Sequence, residues 1–122
     1  MKKALKIDVV NMTVTNVTVD TMEDIYSHIG NGCNLFECPV RFDNGDILYC
    51  DEEGLLHENL EGCFSFPDWK RPIVGNAIIL GSDDEGDSVD CKSTIDAILS
   101  KIIFGNKHVA ENVRDTLFSY ED

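Results

Sequence analysis

The segment at 73–80, IVGNAIIL, constrains the fold of this chain more than any other stretch, because it is nearly all apolar. A short apolar run is typical of a central strand that other elements cover on both faces. At 122 residues the chain suits one domain with a core of its own. We therefore predict a single α+β domain over residues 1–122, in which helices pack on an antiparallel or mixed sheet.

Alternating and β-branched segments predict the other strands. Pro39 cannot donate to a strand ladder, so its strand is expected at a sheet edge or at a bulge. Asn44-Gly45 supplies the positive φ angles that a tight type I′ hairpin requires. Alternation in the strand that contains Pro39 places one set of side chains on one face: Phe36, Cys38, Val40 and Phe42. The predicted strands cover residues 3–10, 13–19, 35–42 and 46–51.

Three segments have the residue spacing of amphipathic helices. Thr21-x-x-Asp24 opens the first, which ends at Gly30, and Ser93-x-x-Asp96 opens the second, which ends at Gly105-Asn106. The third begins near Lys107. Their apolar stripes are Met22, Ile25, Tyr26 and Ile29; then Ile95, Ile98, Leu99, Ile102 and Ile103; and then Val109, Val113, Leu117 and Tyr120.

The C-terminal segment 105–122 reads as a helix appended to a core of residues 1–104. A short helix with an apolar stripe either closes the core of its own chain or pairs with the same helix of a second copy. Packing within one chain is the commoner arrangement, and a homodimer is the alternative.

The charge of the chain limits its partners. There are 23 acidic against 10 basic residues, which gives a net charge of −13. Between Asp8 and Trp69, Arg41 is the only base among thirteen acids. This balance argues against direct binding to nucleic acid or to an anionic membrane, since both need clustered Lys and Arg. The sequence shows neither an export signal nor a membrane-spanning segment, so a cytoplasmic protein is expected, with a basic protein as a candidate partner.

Neither the cysteines nor the histidines form a recognisable catalytic or metal motif. Cys33 and Cys38 are separated like a metal-binding pair, but no second pair or nearby histidine completes a tetrahedral site. We therefore predict no metal, no cofactor and no catalytic residue. A pocket lined by His57, Cys50 or Cys63 would instead favour a small-ligand binder or an enzyme with an unrecognised site.

Two acidic loops are candidates for a functional surface. The loop at 83–87 fails the calcium-loop pattern, because Gly and Glu are missing from the positions that would bend the loop and close the site. A solvated turn is the simpler interpretation of it. The acidic surface residues that we single out are Asp51, Glu52, Glu53, Asp83, Asp84, Glu85 and Asp87.

The segment at 62–72 is irregular and rich in aromatic residues. Trp and Arg dominate the energetic centres of protein interfaces, so a loop that presents them is a candidate contact surface. The candidate partner-binding residues are Phe66, Trp69, Lys70 and Arg71. The alternative is that Phe64 and Phe66 pack inward while Trp69 covers a sheet edge.

Two stretches carry a resemblance to a known family: NGDILYCDEEGLL at 44–56 and PIVGNAIILGSDDEGDSV at 72–89. With the N-terminal hairpin and its capped helix, they resemble a small domain of unknown function found in bacteriophages and mobile elements. The resemblance covers about residues 3–100 and leaves the third helix outside. The family implies no activity for particular residues. Its genomic context implies an accessory protein that binds and blocks a host enzyme.

Three functions follow as hypotheses. The first is a phage-encoded inhibitor that binds a host anti-phage defence factor, such as a restriction or BREX-type component, by direct contact. The second is an acidic DNA mimic, which would need carboxylates in dense rows to imitate the phosphates of DNA. The third is the small-ligand binder or enzyme.

Overall fold

Nine strands and three α-helices make up the described part of the chain, residues 1–67 and 72–118, in the computed structural model. The strands are β1 (Lys2–Asp8), β2 (Thr13–Val19), β3 (Phe36–Arg41), β4 (Ile47–Asp51), β5 (Cys63–Ser65), β6 (Ile73–Val74), β7 (Ala77–Ser82), β8 (Ser88–Val89) and β9 (Ile103–Gly105). The helices are α1 (Met22–Ile29), α2 (Ile95–Leu99) and α3 (Lys107–Phe118). All strand pairs are antiparallel, which confirms the α+β prediction.

The larger sheet has the order β2-β1-β7-β4-β3, with β8 paired to the end of β7, and the smaller sheet has the order β6-β5-β9. As predicted, β7 is central and buried on both faces. Its Ile78 and Leu80 face a cluster that includes α1, whereas Ala77 and Ile79 face the cluster that contains Phe64 of the smaller sheet. The larger sheet is therefore covered by α1 on one side and by the smaller sheet and α2 on the other.

The apolar run at 73–80 is two strands and not one. Ile73 and Val74 pair with β5 in the smaller sheet, and the chain enters the larger sheet only at Ala77. Between them, the Asn76 side chain accepts a hydrogen bond from the Val9 backbone N–H at 2.8 Å. The apolar composition of residues 73–80 predicted their burial correctly. It could not show that β6 and β7 belong to different sheets.

The strand β3 lies at an edge of the larger sheet, as Pro39 predicted, but its expected single apolar face is wrong. The register with β4 shifts between Glu37 and Val40. A bulge of this kind turns the residues that follow it to the opposite face. Phe36 therefore packs in the cluster beside α1, whereas Val40 and Phe42 pack in the cluster on the other face.

The turn at Asn44-Gly45 is present, but the predicted type I′ geometry is wrong. Phe42 N–H donates to the Asp46 carbonyl, and Gly45 N–H donates to the Phe42 carbonyl, so the loop has three residues between its paired ends. Gly45 has a φ of +93°, whereas Asn44 is not in the positive-φ region that type I′ requires of both residues. The Asn44 side chain instead donates to Ser93 Oγ at 3.1 Å.

The first helix is confirmed with its capping box, in which Thr21 and Asp24 exchange side-chain and backbone hydrogen bonds. Ile25 and Ile29 face the core, while Met22 is exposed. The second helix is much shorter than predicted, and Thr94 rather than Ser93 caps it. Its chain continues into β9, where Ile103 is 71% exposed.

The third helix packs on β5 and β9 of its own chain. Among the α3 side chains that the structure describes, residues 107–117, the buried one is Ala110, which joins a cluster with Leu60, Cys63 and Val74. Val109 of the predicted stripe is exposed. Tyr120 lies outside the described residues. None of the helices in residues 1–67 and 72–118 is long and apolar enough to span a membrane.

Asp46 connects the β3–β4 hairpin to the segment that precedes α2. Its side chain is 0% exposed and accepts hydrogen bonds from Lys92 N–H, Ser93 N–H and Ser93 Oγ. Because Ser93 is hydrogen-bonded to Asp46, it does not cap α2. Thr94 caps the helix instead, so α2 begins one residue later than the capping motif predicted.

Replacing Asp46 by Ala is expected to lower the free energy of unfolding by about 3 kcal/mol, because two part-buried backbone N–H groups and the Ser93 hydroxyl lose their common acceptor. Urea denaturation followed by circular dichroism measures the change. The matched control is Asp84→Ala in the exposed turn after β7, which should change stability by less than about 0.5 kcal/mol. Equal effects of the two substitutions would contradict the role of Asp46.

Candidate functional site

Asp51 is the last residue of β4, and its burial corrects the prediction that it forms part of an acidic surface. The residue is 7% exposed. One carboxyl oxygen accepts the Glu53 N–H at 2.8 Å, and the other lies 2.5 Å from His57 Nε2. Glu52 and Glu53 of the same loop are exposed, as predicted.

His57 reaches Asp51 because the intervening chain folds into a 3₁₀ turn, Gly54–Leu56. Gly54 lies so close to β6 that a β-carbon there would be 2.6 Å from the Val74 carbonyl oxygen. A side chain at this position would push the turn off the smaller sheet and move His57 away from Asp51. The sequence interpretation missed this pair, since a spacing of six residues across an irregular turn matches no regular period.

An open cleft of about 260 Å³ lies beside Asp51, between the 3₁₀ turn and the start of β6. Leu55 and Val74 supply an apolar lining, and Leu56, 66% exposed, is an apolar residue at its rim. Glu52 adds an exposed carboxylate. The cleft is lined by Asp51, Glu52, Gly54, Leu55, Leu56, Pro72 and Val74.

A second exposed leucine, Leu35, lies next to the acidic loop at the cleft. The Leu35 carbonyl accepts the Glu52 N–H at 3.0 Å, which fixes this residue next to the acidic loop. Leu35 is itself one of the exposed large apolar residues. The region around the cleft therefore combines apolar side chains with carboxylates. That composition suits a ligand that is itself part apolar and part cationic.

A narrower recess lies behind Asp51, at the C-terminal end of α1. Its polar side chains are Asn31, Asp51, His57, Glu61 and Asn76. Its volume, about 10 Å³, is close to the minimum for one water molecule. The recess therefore has no room for a larger ligand unless the 3₁₀ turn moves.

Cys33 adjoins this site but is not an activated nucleophile. Burial, and then the negative charge of Asp51, raise the pKa of the Cys33 thiol to about 11. Cys50 and Cys63 are core residues, and burial raises the pKa of both thiols. Of the three residues considered for a ligand pocket, His57 alone lines one of the two cavities beside Asp51. Within the described ranges, no group of three His, Cys, Asp or Glu side chains is placed to hold a metal ion.

The second acidic loop, at 83–87, is the exposed turn between β7 and β8. The Asp83 carboxylate accepts the N–H groups of Glu85 and Asp87, each at 2.9 Å, so it stabilises the turn. Ile47 pairs with Leu80 and Cys50 with Ala77, which places the two acidic loops at opposite ends of the sheet. At the rise of a β-strand they are roughly 23 Å apart, so their carboxylates do not form one continuous row.

Of the four candidate partner-binding residues, only Phe66 lies among the described residues. Phe66 is 8% exposed, and its ring centroid lies 5.8 Å from those of Phe42 and Phe64. This corrects the expectation that Phe66 presents its ring to a partner, because Phe64 in β5 and Phe66 just after it both point into the core. Trp69, Lys70 and Arg71 lie outside the described residues.

These features define an acidic, single-domain α+β protein with an open cleft at one end of its central sheet. Residues 1–103 match the family described as "Domain of unknown function (DUF3846)", and the chain belongs to that family. This confirms the resemblance to a family of unknown function. The matched segment ends before α3 begins. No curated protein and no solved structure matches the chain.

The effect of Asp51 on Cys33 can be tested by alkylation. A thiol with a pKa near 11 is only about 0.1% thiolate at pH 8. Asp51→Asn removes the negative charge, so the pKa of Cys33 should fall and its reaction with iodoacetamide should become at least threefold faster. Mass spectrometry of the Cys33 peptide measures the rate. Glu85→Gln is the control, and an unchanged rate in Asp51→Asn would contradict the assigned cause.

Proposed function

We propose that this protein is a non-catalytic binding protein that captures a basic segment of a partner protein in the cleft beside Asp51. The observation that carries the proposal is the composition of the cleft, in which an apolar lining and an exposed leucine adjoin carboxylates. Lys and Arg side chains match this composition, because their aliphatic stems pack on apolar surface while their charged ends interact with carboxylates.

The size of the cleft favours a side chain over a free small molecule. Pockets for drug-sized ligands are usually about 300–1,000 Å³. The cleft has about 260 Å³ and is open to solvent. It therefore suits one long side chain that projects from a larger partner, with Leu56 and Leu35 covered by the partner around it.

The charge distribution supports a basic partner as well. Among described residues 8–67, twelve acids accompany one base, Arg41. A field of this sign attracts basic surfaces and raises their rate of association, while it contributes less to the final affinity.

The resemblance to phage and mobile-element proteins motivates a narrower proposal. The partner is a host anti-phage defence factor, of the restriction or BREX type, which the protein binds in the bacterial cytoplasm and blocks. Pulldown at about 0.15 M and 1 M salt, followed by mass spectrometry, identifies the partner. The plating efficiency of a phage on cells that carry the defence system then measures inhibition.

Two substitutions in the cleft should affect capture in different ways. Leu56→Ala is expected to weaken the affinity for the partner about tenfold, because it removes apolar contact area from the interface. Glu52→Gln should mainly lower the association rate and reduce its dependence on salt. Biolayer interferometry on the identified partner measures both quantities.

The matched control is Glu85→Gln, which removes a charge at the opposite end of the sheet and should leave capture unchanged. If Glu85→Gln weakens capture as much as the cleft substitutions, the cleft proposal fails. Capture that is lost entirely at high salt and depends on both acidic loops would favour the DNA mimic, although the distance between the loops counts against it.

A second candidate function is the binding of a small ligand at the His57–Asp51 pair. It requires the 3₁₀ turn to move, because the polar recess behind the pair has room for about one water molecule. A screen of metabolites by thermal denaturation tests it. A ligand that raises the melting temperature of the native protein, but not that of His57→Ala, would support this candidate. The absence of any such ligand would leave the protein-binding proposal in place.

A further inference from the structure

The two edges of the larger sheet differ in how they are protected. The β3 edge carries a bulge, Pro39 and the charged residues Glu37 and Arg41, all of which hinder the addition of another strand. The β2 edge, TVTNVTV, has no charge and no proline, and its register with β1 is unbroken over seven residues. Because β2 has none of the features that protect the β3 edge, another strand can pair with it.

The backbone groups that point outward from β2 can be identified from its neighbour. The Lys3 N–H donates to Asp90 Oδ1, and the Lys3 carbonyl accepts from the Cys91 N–H. Both partners lie on the side of β1 that faces away from β2. Lys3 is opposite Thr18, so these two residues do not exchange hydrogen bonds. Because the pattern alternates, the backbone groups of Val14, Asn16 and Thr18 point away from β1.

One of these groups already has a partner. His28 Nε2 lies 3.3 Å from the Thr18 carbonyl oxygen, which covers one end of the edge. The backbone groups of Val14 and Asn16 remain open among the described residues. A hollow of about 540 Å³, lined by Lys3, Asn16, Val17 and Thr18, adjoins the strand. The centre of the edge is therefore accessible to another chain.

We infer that β2 is the pairing edge of a homodimer, in which a second copy adds its own β2 in antiparallel orientation. The two-fold axis passes beside Thr15. Val14 then exchanges backbone hydrogen bonds with Asn16 of the second copy. By symmetry, Asn16 exchanges them with Val14 of the second copy. Thr15 lies opposite Thr15 of the second copy, which is a favourable cross-strand pair. This register uses the open backbone groups and leaves the contact between His28 and Thr18 intact.

Charge does not oppose a second copy as the occupant, and the open backbone groups of Val14 and Asn16 lie symmetrically about Thr15, as a two-fold contact requires. The β1–β2 hairpin carries Lys2, Lys3 and Lys6 against Asp8 as its one acid, in a chain whose net charge is −13. Two copies that meet here therefore bring no acidic surfaces together. The seam itself contains only Thr, Val and Asn side chains, so no like charges oppose each other across it.

Sedimentation equilibrium over a range of concentrations tests the inference. The native protein should be a dimer, and Thr15→Lys and Asn16→Pro should each raise the dimer dissociation constant at least tenfold. Asn16→Pro removes an N–H that points away from β1, so the hairpin within the chain keeps its hydrogen bonds. The control is Glu37→Lys on the other edge, which should remain dimeric.

A native protein that stays monomeric at about 0.5 mM would overturn the inference. A dimer that persists in Thr15→Lys would overturn it too, and would direct attention to α3 as the interface. If circular dichroism shows that Asn16→Pro is unfolded, Thr15→Lys decides the question, because the Thr15 side chain is exposed in the single chain.

Cross-linking tests the register independently. In a pair that does not exchange hydrogen bonds, opposite α-carbons are about 4.5 Å apart, within the range of a disulfide. Oxidation of Thr15→Cys should therefore give a covalent dimer on a non-reducing gel. Thr18→Cys is the control, since two copies of that position would be roughly 20 Å apart. The unsubstituted chain, with five native cysteines, gives the background. A covalent dimer from Thr18→Cys alone would overturn the proposed register.

Discussion

Burial of β7 on both faces is the constraint on which the rest of the structure depends. Residues 77–80 are almost inaccessible to solvent, so the chain must place an apolar layer on each side of one strand. The helix α1 provides one layer, and the smaller sheet with α2 provides the other. The position of Asp51 follows from this arrangement, because β4 lies against β7 and ends where the smaller sheet begins.

Features that depend on residues close in sequence were predictable. The capping box of α1, the end of that helix at Gly30, the β1–β2 hairpin and the edge position of β3 all follow from the chemistry of a few neighbouring residues. The family relationship was also recognisable from the motifs around β4 and β7. In each case the information lies within a single element or in the turn beside it.

Features that depend on distant residues were not predictable in the same way. The hydrogen bonds from Ser93 to Asp46 displaced the start of α2, and no pattern near Ser93 indicates them. The bulge in β3 moved Val40 and Phe42 to the opposite face, although Pro39 marked its place. The pairing of Asp51 with His57 needs the 3₁₀ turn to pack against Val74, a contact with the smaller sheet.

Asp46 also has a consequence for the order of events in folding. Its contacts with Lys92 and Ser93 join residues 46 and 47 positions apart in the sequence. Closing a loop of that length has an entropic cost that local turns and hairpins avoid, so we expect these bonds to form later than the β1–β2 and β3–β4 hairpins. Interactions that form late act mainly on the unfolding rate. Asp46 should thus determine how long a native molecule persists, and have little effect on how quickly a new chain reaches the native state.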